Sequence, residues 1–130
     1  MKLTQMQRTG YMAYEVPEQV RCELARRFPP KYPDFIGHHI TQQFGVENPG
    51  DLMIPHAMIN VVGYAEEDGL EALVVSVNGS KRREDGKTYH ITWSLDRSKG
   101  KKPVMSNDLI MKGWTHVEPY KFTAPLKFFS

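Results

Sequence analysis

Cysteine is nearly absent from this chain, which holds Cys22 alone. A single thiol excludes an internal disulfide and the usual cysteine-built zinc site. A small buried hydrophobe is the expected role of Cys22. Charge of one sign is lacking too, since 17 Lys and Arg against 15 Asp and Glu leave a formal net charge of +2. A field that weak steers little and argues against gripping a long nucleic acid by charge. No apolar run approaches membrane-spanning length, and residues 1–6 are too polar for a secretory signal. The expected setting is therefore cytoplasmic and reducing, with no membrane partner. Walker loops, GxGxxG segments and Ser or Cys nucleophile signatures are missing. His38, His56 and His116 have no His-x-His or His-x3-His spacing to work with, so no metal or other cofactor is expected.

What is present suits one compact domain spanning residues 1–130, with 40% hydrophobic residues and 25% charged. Residues 9–16 carry the aromatics and β-formers of a strand. Pro17 fits the first turn of a helix, and Val20, Leu24, Ala25 and Phe28 form its apolar stripe, leaving Glu18, Arg21 and Arg26 for solvent. Pro29 and Pro30 end it. Strands are expected over 36–46, 57–64, 70–77 and 89–95, with a turn at 48–51 and a polar hairpin loop at 65–69. Ser106 to about Lys112 reads as a short capped helix or turn. The stretch 114–129 reads as one or two strands broken at Pro119 and Pro125. This order predicts an α+β fold with a mainly antiparallel sheet and one or two helices.

Two segments carry the chemistry: His39-Ile40-Thr41 and His90-Ile91-Thr92, each inside an expected strand. Strand side chains alternate, so His39 and Thr41 share one face, and so do His90 and Thr92. Two strands brought together then offer two imidazoles and two hydroxyls. A neutral histidine can take a proton from an attacking hydroxyl or water, and a protonated one can deliver a proton to the leaving oxygen. Threonine hydroxyls can donate to the non-bridging oxygens of a phosphate as charge builds there. No metal is required by that arrangement.

Paired His-x-Thr strands in a small α+β domain resemble the 2H phosphoesterase superfamily. That superfamily includes RNA cyclic phosphodiesterases, LigT-like RNA end-processing proteins and phage anti-CBASS enzymes that destroy cyclic oligonucleotides. The likeness covers residues 11–95. It implies a compact two-lobed sheet around a cleft, with His39, Thr41, His90 and Thr92 as the catalytic set. It also implies metal-independent cleavage of a nucleotide phosphodiester: a cyclic oligonucleotide, a 2′,3′-cyclic phosphate or a 2′–5′ linked RNA end. The chain is short for the family and its two motifs lie close together. The expected partner is a nucleotide or short oligonucleotide, with no obligate protein partner and a monomeric state. The alternative is a non-catalytic nucleotide- or RNA-binding module on the same scaffold.

Further substrate contacts are assigned to Tyr11, Tyr14, Arg82, Lys102 and Trp114. Tyr11 and Tyr14 precede the first motif and do not share a strand face, so one of them can present a ring to a base, the other reading being core packing. Trp114 can stack likewise or anchor the core. Lys81, Arg82 and Arg83 precede the second motif, and Lys99, Lys101 and Lys102 follow it, two basic turns that can attract a polyanion or simply be solvated. Residues 103–108 read as a substrate loop or an ordinary capped turn.

Overall fold

A computed structural model describes residues 9–47 and 55–129. The turn expected at 48–51 and the polar residues 1–6 lie outside the described residues. The chain runs β1 (Thr9–Glu15), α1 (Glu18–Arg27), β2 (Asp34–Phe35), β3 (His39–Glu47), β4 (His56–Glu67), β5 (Leu70–Val77), β6 (His90–Leu95), α2 (Ser106–Lys112) and β7 (Thr115–Phe129). Pairing is antiparallel throughout, in the order β2-β6-β3-β1-β7-β4-β5, and β5 also pairs with β6. Six strands therefore close into a barrel, with β2 added beside the far end of β6. The fold is α+β, mostly antiparallel sheet, with two α-helices among the described residues. Closure leaves little open sheet edge to invite pairing with other chains, confined to the two-residue β2 and the β3–β6 seam.

Alternation separates two apolar faces. Ile40, Ile59, Val61, Leu73, Val75, Ile91, Trp93 and Phe122 fill the interior together with Leu24 of α1. Ala65, Leu70, Ala72, Val74 and Leu95 form the opposite face and are covered by Leu109 and Ile110 of α2. The first helix has Glu18 in its first turn and Arg26 and Arg27 in its last, both favourable to the helix dipole. Pro17 sits just outside it, at the cap position. Its C-terminal cap residue Phe28 accepts at its carbonyl from the Trp93 indole N–H at 2.7 Å, tying helix to barrel.

Several expectations change. Arg21 does not face solvent: its Nε donates to the Ile36 carbonyl at 3.0 Å and its guanidinium lies 3.8 Å from the centre of the Phe35 ring. It clasps β2, a two-residue strand too short to leave a periodic signal. Cys22 is exposed rather than buried, its thiol donating to the Glu18 carboxylate one turn back. The strand expected from residue 36 begins at His39, because Ile36 and Gly37 donate instead to the carbonyls of Trp93 and Thr92. The hairpin loop shrinks to Asp68 and Gly69, with Glu67 paired to Leu70.

β7 runs unbroken past both prolines. Pro119 falls in the gap between the Tyr120↔Val61 and His116↔Gly63 pairs, where the ladder is already interrupted and no N–H is needed. Pro125 stands one residue beyond Leu126, where the ladder with β1 stops. Leu126 donates to Pro55 on the β4 side, so the missing N–H at 125 would point toward the unpaired end of β1. No helix among the described residues is long and apolar enough to cross a membrane.

Candidate active site

β3 and β6 meet through one backbone pair, Ile40↔Ile91. Both isoleucines point into the core and are fully buried. Their neighbours must then point the other way, and His39, Thr41, His90 and Thr92 all line one cavity of about 320 Å³. Beyond that pair the strands are not hydrogen-bonded to each other, and the cavity opens at this seam. Its volume is in the range of small-ligand sites.

Each histidine is held differently. The His90 ring nitrogen Nδ1 lies 2.9 Å from the Thr88 carbonyl. A carbonyl only accepts, so Nδ1 carries the proton and the neutral ring has its lone pair on Nε2. Burial pushes the His90 imidazole below its ordinary value; the charges of Arg83, His39 and Lys87 push the same way, and the Thr88 hydrogen bond opposes them. His39 is packed among rings, with centroids 5.4 Å from Tyr11 and 5.8 Å from Phe129. Burial first, then the neighbouring His38, lowers its value too. Mutual repulsion between two nearby imidazolium rings means that one proton on the pair disfavours a second.

The two hydroxyls also differ. Thr92, 9% exposed, shares a hydrogen bond of 2.9 Å with the hydroxyl of Ser106 and lies 3.3 Å from the Pro103 carbonyl. Ser106 is the first residue of α2, so the helix on the outer face fixes the Thr92 hydroxyl. Thr41 lies beside an irregularity in the β1–β3 ladder: Ala13 pairs with Thr41 and Met12 with Gln43, leaving Gln42 unpaired. A second bulge follows at Gly45, which has φ 69°, between the Tyr11↔Phe44 and Gly10↔Val46 pairs. The first bulge shifts the alternation by one residue, so Phe44 joins His39 and Thr41 on the cavity wall instead of Gln43.

Of the expected substrate contacts, Tyr11 lines the cavity, stacked on Phe129 at 5.4 Å. Tyr14 lies on the other face of β1 and packs against the core, where burial raises its phenol pKa. Arg82 and Trp114 stand outside the cavity, together in a neighbouring groove. Lys102 is exposed just before the turn Pro103–Met105 and does not line the cavity. Pro103, Val104 and Asn107 of the anticipated substrate loop do line it.

Arg83 and Phe44 are residues of the cavity that sequence reasoning passed over as contacts. Arg83 is 3% exposed. Its Nε and Nη2 bind the Asp85 carboxylate at 2.9 and 2.8 Å, and Nη1 reaches the Thr41 carbonyl at 3.5 Å. The hydrogen bond from Arg83 holds the Asp85 carboxyl at about 2. The guanidinium lies 5.5 Å from the centre of the Phe44 ring, which is 58% exposed. Three consecutive basic residues gave no sign of which one turns inward. Among the described residues no three His, Cys, Asp or Glu side chains converge as metal ligands.

The arrangement offers two imidazoles of lowered basicity, two hydroxyl donors and one buried guanidinium around a half-open hollow with aromatic walls. Such a set can bind an anion, exchange protons with it and stack a flat ring. Compared with protein-family models, with curated proteins and with solved structures, the chain matches none.

Proposed function

We propose that this protein is a metal-independent phosphodiesterase of the 2H phosphoesterase kind, cleaving a nucleotide phosphodiester by acid–base catalysis between His90 and His39. The observation that carries this reading is the convergence of both His-x-Thr pairs on one cavity across the Ile40↔Ile91 pair. His90 acts as the base. Its Nδ1–H is committed to Thr88, so Nε2 is free to take the proton from an attacking water or ribose hydroxyl. His39 delivers a proton to the leaving oxygen as the P–O bond breaks. Thr41 and Thr92 donate to the non-bridging oxygens, beside the paired Arg83 and Asp85 of the cavity wall. Tyr11 and Phe44 offer rings to the base beside the scissile linkage.

The two-lobed arrangement is read onto the barrel in the same way. The halves would be β3-β1-β7 and β6-β5-β4, each bearing one His-x-Thr strand, with the cleft along the β3–β6 seam. The substrates that fit are those of the resemblance: a cyclic oligonucleotide, a 2′,3′-cyclic phosphate or a 2′–5′ linked RNA end, with a phage counter-defence role among the contexts.

The test uses a panel of these substrates in EDTA. His39→Ala and His90→Ala should each lower kcat by about 10²–10⁴-fold. A substrate with a nitrophenolate leaving group needs little help from an acid, so it should restore much of the rate in His39→Ala and little in His90→Ala. Restoration in His90→Ala and not in His39→Ala reverses the assigned roles, and equal restoration in both removes them. The engagement of the Thr92 hydroxyl with Ser106 and Pro103 favours a second reading, a non-catalytic nucleotide-binding module. Tight binding across the panel with no turnover would select it.

A further inference from the structure

The cavity has neighbours past its rim. Asn107 lines both it and a smaller hollow of about 110 Å³, whose walls include Lys87 and Thr88. Thr88 is common to that hollow and to an open groove of about 450 Å³ that holds Lys81, Arg82 and Trp114. Asn107 and Thr88 thus link three neighbouring depressions that lie between the two histidines and a tryptophan. The indole of Trp114 is pressed against strand β4: a Cβ on Gly63 would lie 2.2 Å from its Cε3 atom. Any larger residue at 63 would displace the ring, so its position is set by the backbone beneath it. The Lys81 ammonium lies 5.7 Å from the centre of one of the indole rings. Among the described residues, none of Lys81, Arg82 and Lys87 takes part in an ion pair. Two neighbouring cations do: Arg83 is neutralised by Asp85 and Lys112 by Glu67.

We propose that these depressions together make a track that binds a linear single-stranded oligonucleotide, with one linkage at His39 and His90 and a base further along the strand stacked on Trp114. The proposal rests on the phosphodiesterase reading for which linkage is cut, and it adds where the rest of the strand lies. Unpaired cations beside a fixed flat ring suit the alternation of phosphate and base along a strand. A cyclic dinucleotide is confined to the main cavity and leaves the groove unused. The weak overall charge of +2 fits a partner held by a few placed contacts rather than by a broad field.

The experiment compares linear oligoadenylates of two to six nucleotides, with 2′–5′ and 3′–5′ linkages, against a cyclic dinucleotide. Cleavage and binding are read separately. In the wild type, kcat/KM should rise about tenfold once the strand is long enough to reach Trp114, the scale of one base stacked on an aromatic ring. Trp114→Ala should bring the ratio of long to short substrate rates back toward one. Lys81→Ser with Arg82→Ser, two exposed changes that spare the core, should lower the same ratio and flatten its dependence on salt. Binding is followed by tryptophan fluorescence, since Trp93 is buried and Trp114 partly exposed. A hexanucleotide should quench the wild type and not Trp114→Ala, while a dinucleotide quenches neither. Cleavage without length dependence or quenching overturns the track and leaves the phosphodiesterase. Quenching without cleavage of any substrate keeps the track and overturns the phosphodiesterase.

Discussion

The two histidines of the cavity are alike in sequence and unlike in setting, and the difference has a measurable signature. Both imidazoles are displaced below the ordinary histidine value, in each case chiefly by burial. Acid–base catalysis by the pair needs one ring neutral and one protonated. The profile of kcat/KM against pH should therefore be a bell with both limbs below about 6.5, the unperturbed histidine value. A profile still rising at pH 8 would be incompatible with these assignments. At this scale much was legible. Strand alternation alone selected His39 over His38 and grouped it with Thr41, as the cavity wall shows. It could not select Arg83 over Arg82, because the segment between β5 and β6 has no period to follow. The isolated Arg82↔Thr88 bridge, the Asp85 carboxylate and the Thr41 carbonyl hold Arg83 inward. Tyr11 and Tyr14 separated as alternation requires, one to the cavity and one to the core.

Elements were legible where their period was regular and obscure where it slipped. β5 has one phase throughout and was read with its limits intact. β3 slips at Gln42 and again at Gly45, and the sequence around them carries no bulge signal beyond the single glycine. Phe44 reaches the cavity through that slip, so a reading by strict alternation assigns it to the wrong face. The Gly45 bulge has a testable cost. Its φ of 69° lies in the left-handed region, and a Cβ there would meet nothing within 4 Å, so the penalty of a side chain is conformational rather than steric crowding. Gly45→Ala should destabilise the fold by about 1–2 kcal/mol in denaturant titration. A larger loss would mean a collision that the open surroundings of Gly45 do not contain. Pro119 teaches the reverse lesson. Proline was read as a break in β7, and Pro119 occupies a stretch of that strand where pairing to β4 has already lapsed.

The whole molecule shows its site to acid. Both cavity histidines have folded-state values below their unfolded value of about 6.5. Between the two values the unfolded chain binds more protons, so stability rises with pH there. The stability from neutral histidines is complete above about pH 6.5 and is lost as pH falls through the folded values. The melting temperature should drop on acidification from pH 7 to 5, and His90→Gln should reduce that slope; an unchanged slope in the variant would argue against burial as the cause. The α+β class and antiparallel sheet could be read from the order of elements. Closure into a barrel could not, because nothing local in β5 or β6 says that they pair with each other.

The single pair between β3 and β6 also sets a clock. His39 and His90 are 51 positions apart in the chain, and they face each other only when Ile40 meets Ile91. Pairings between distant segments form slowly, since the intervening chain must be ordered before they gain anything. The hairpin of β4 and β5, joined by two residues, can form early and independently of that meeting. During refolding, the proposed phosphodiesterase turnover should therefore return no sooner than the near-ultraviolet signal of the packed Trp93 core. A phase in which the core signal is restored and turnover lags would time the shutting of the seam itself.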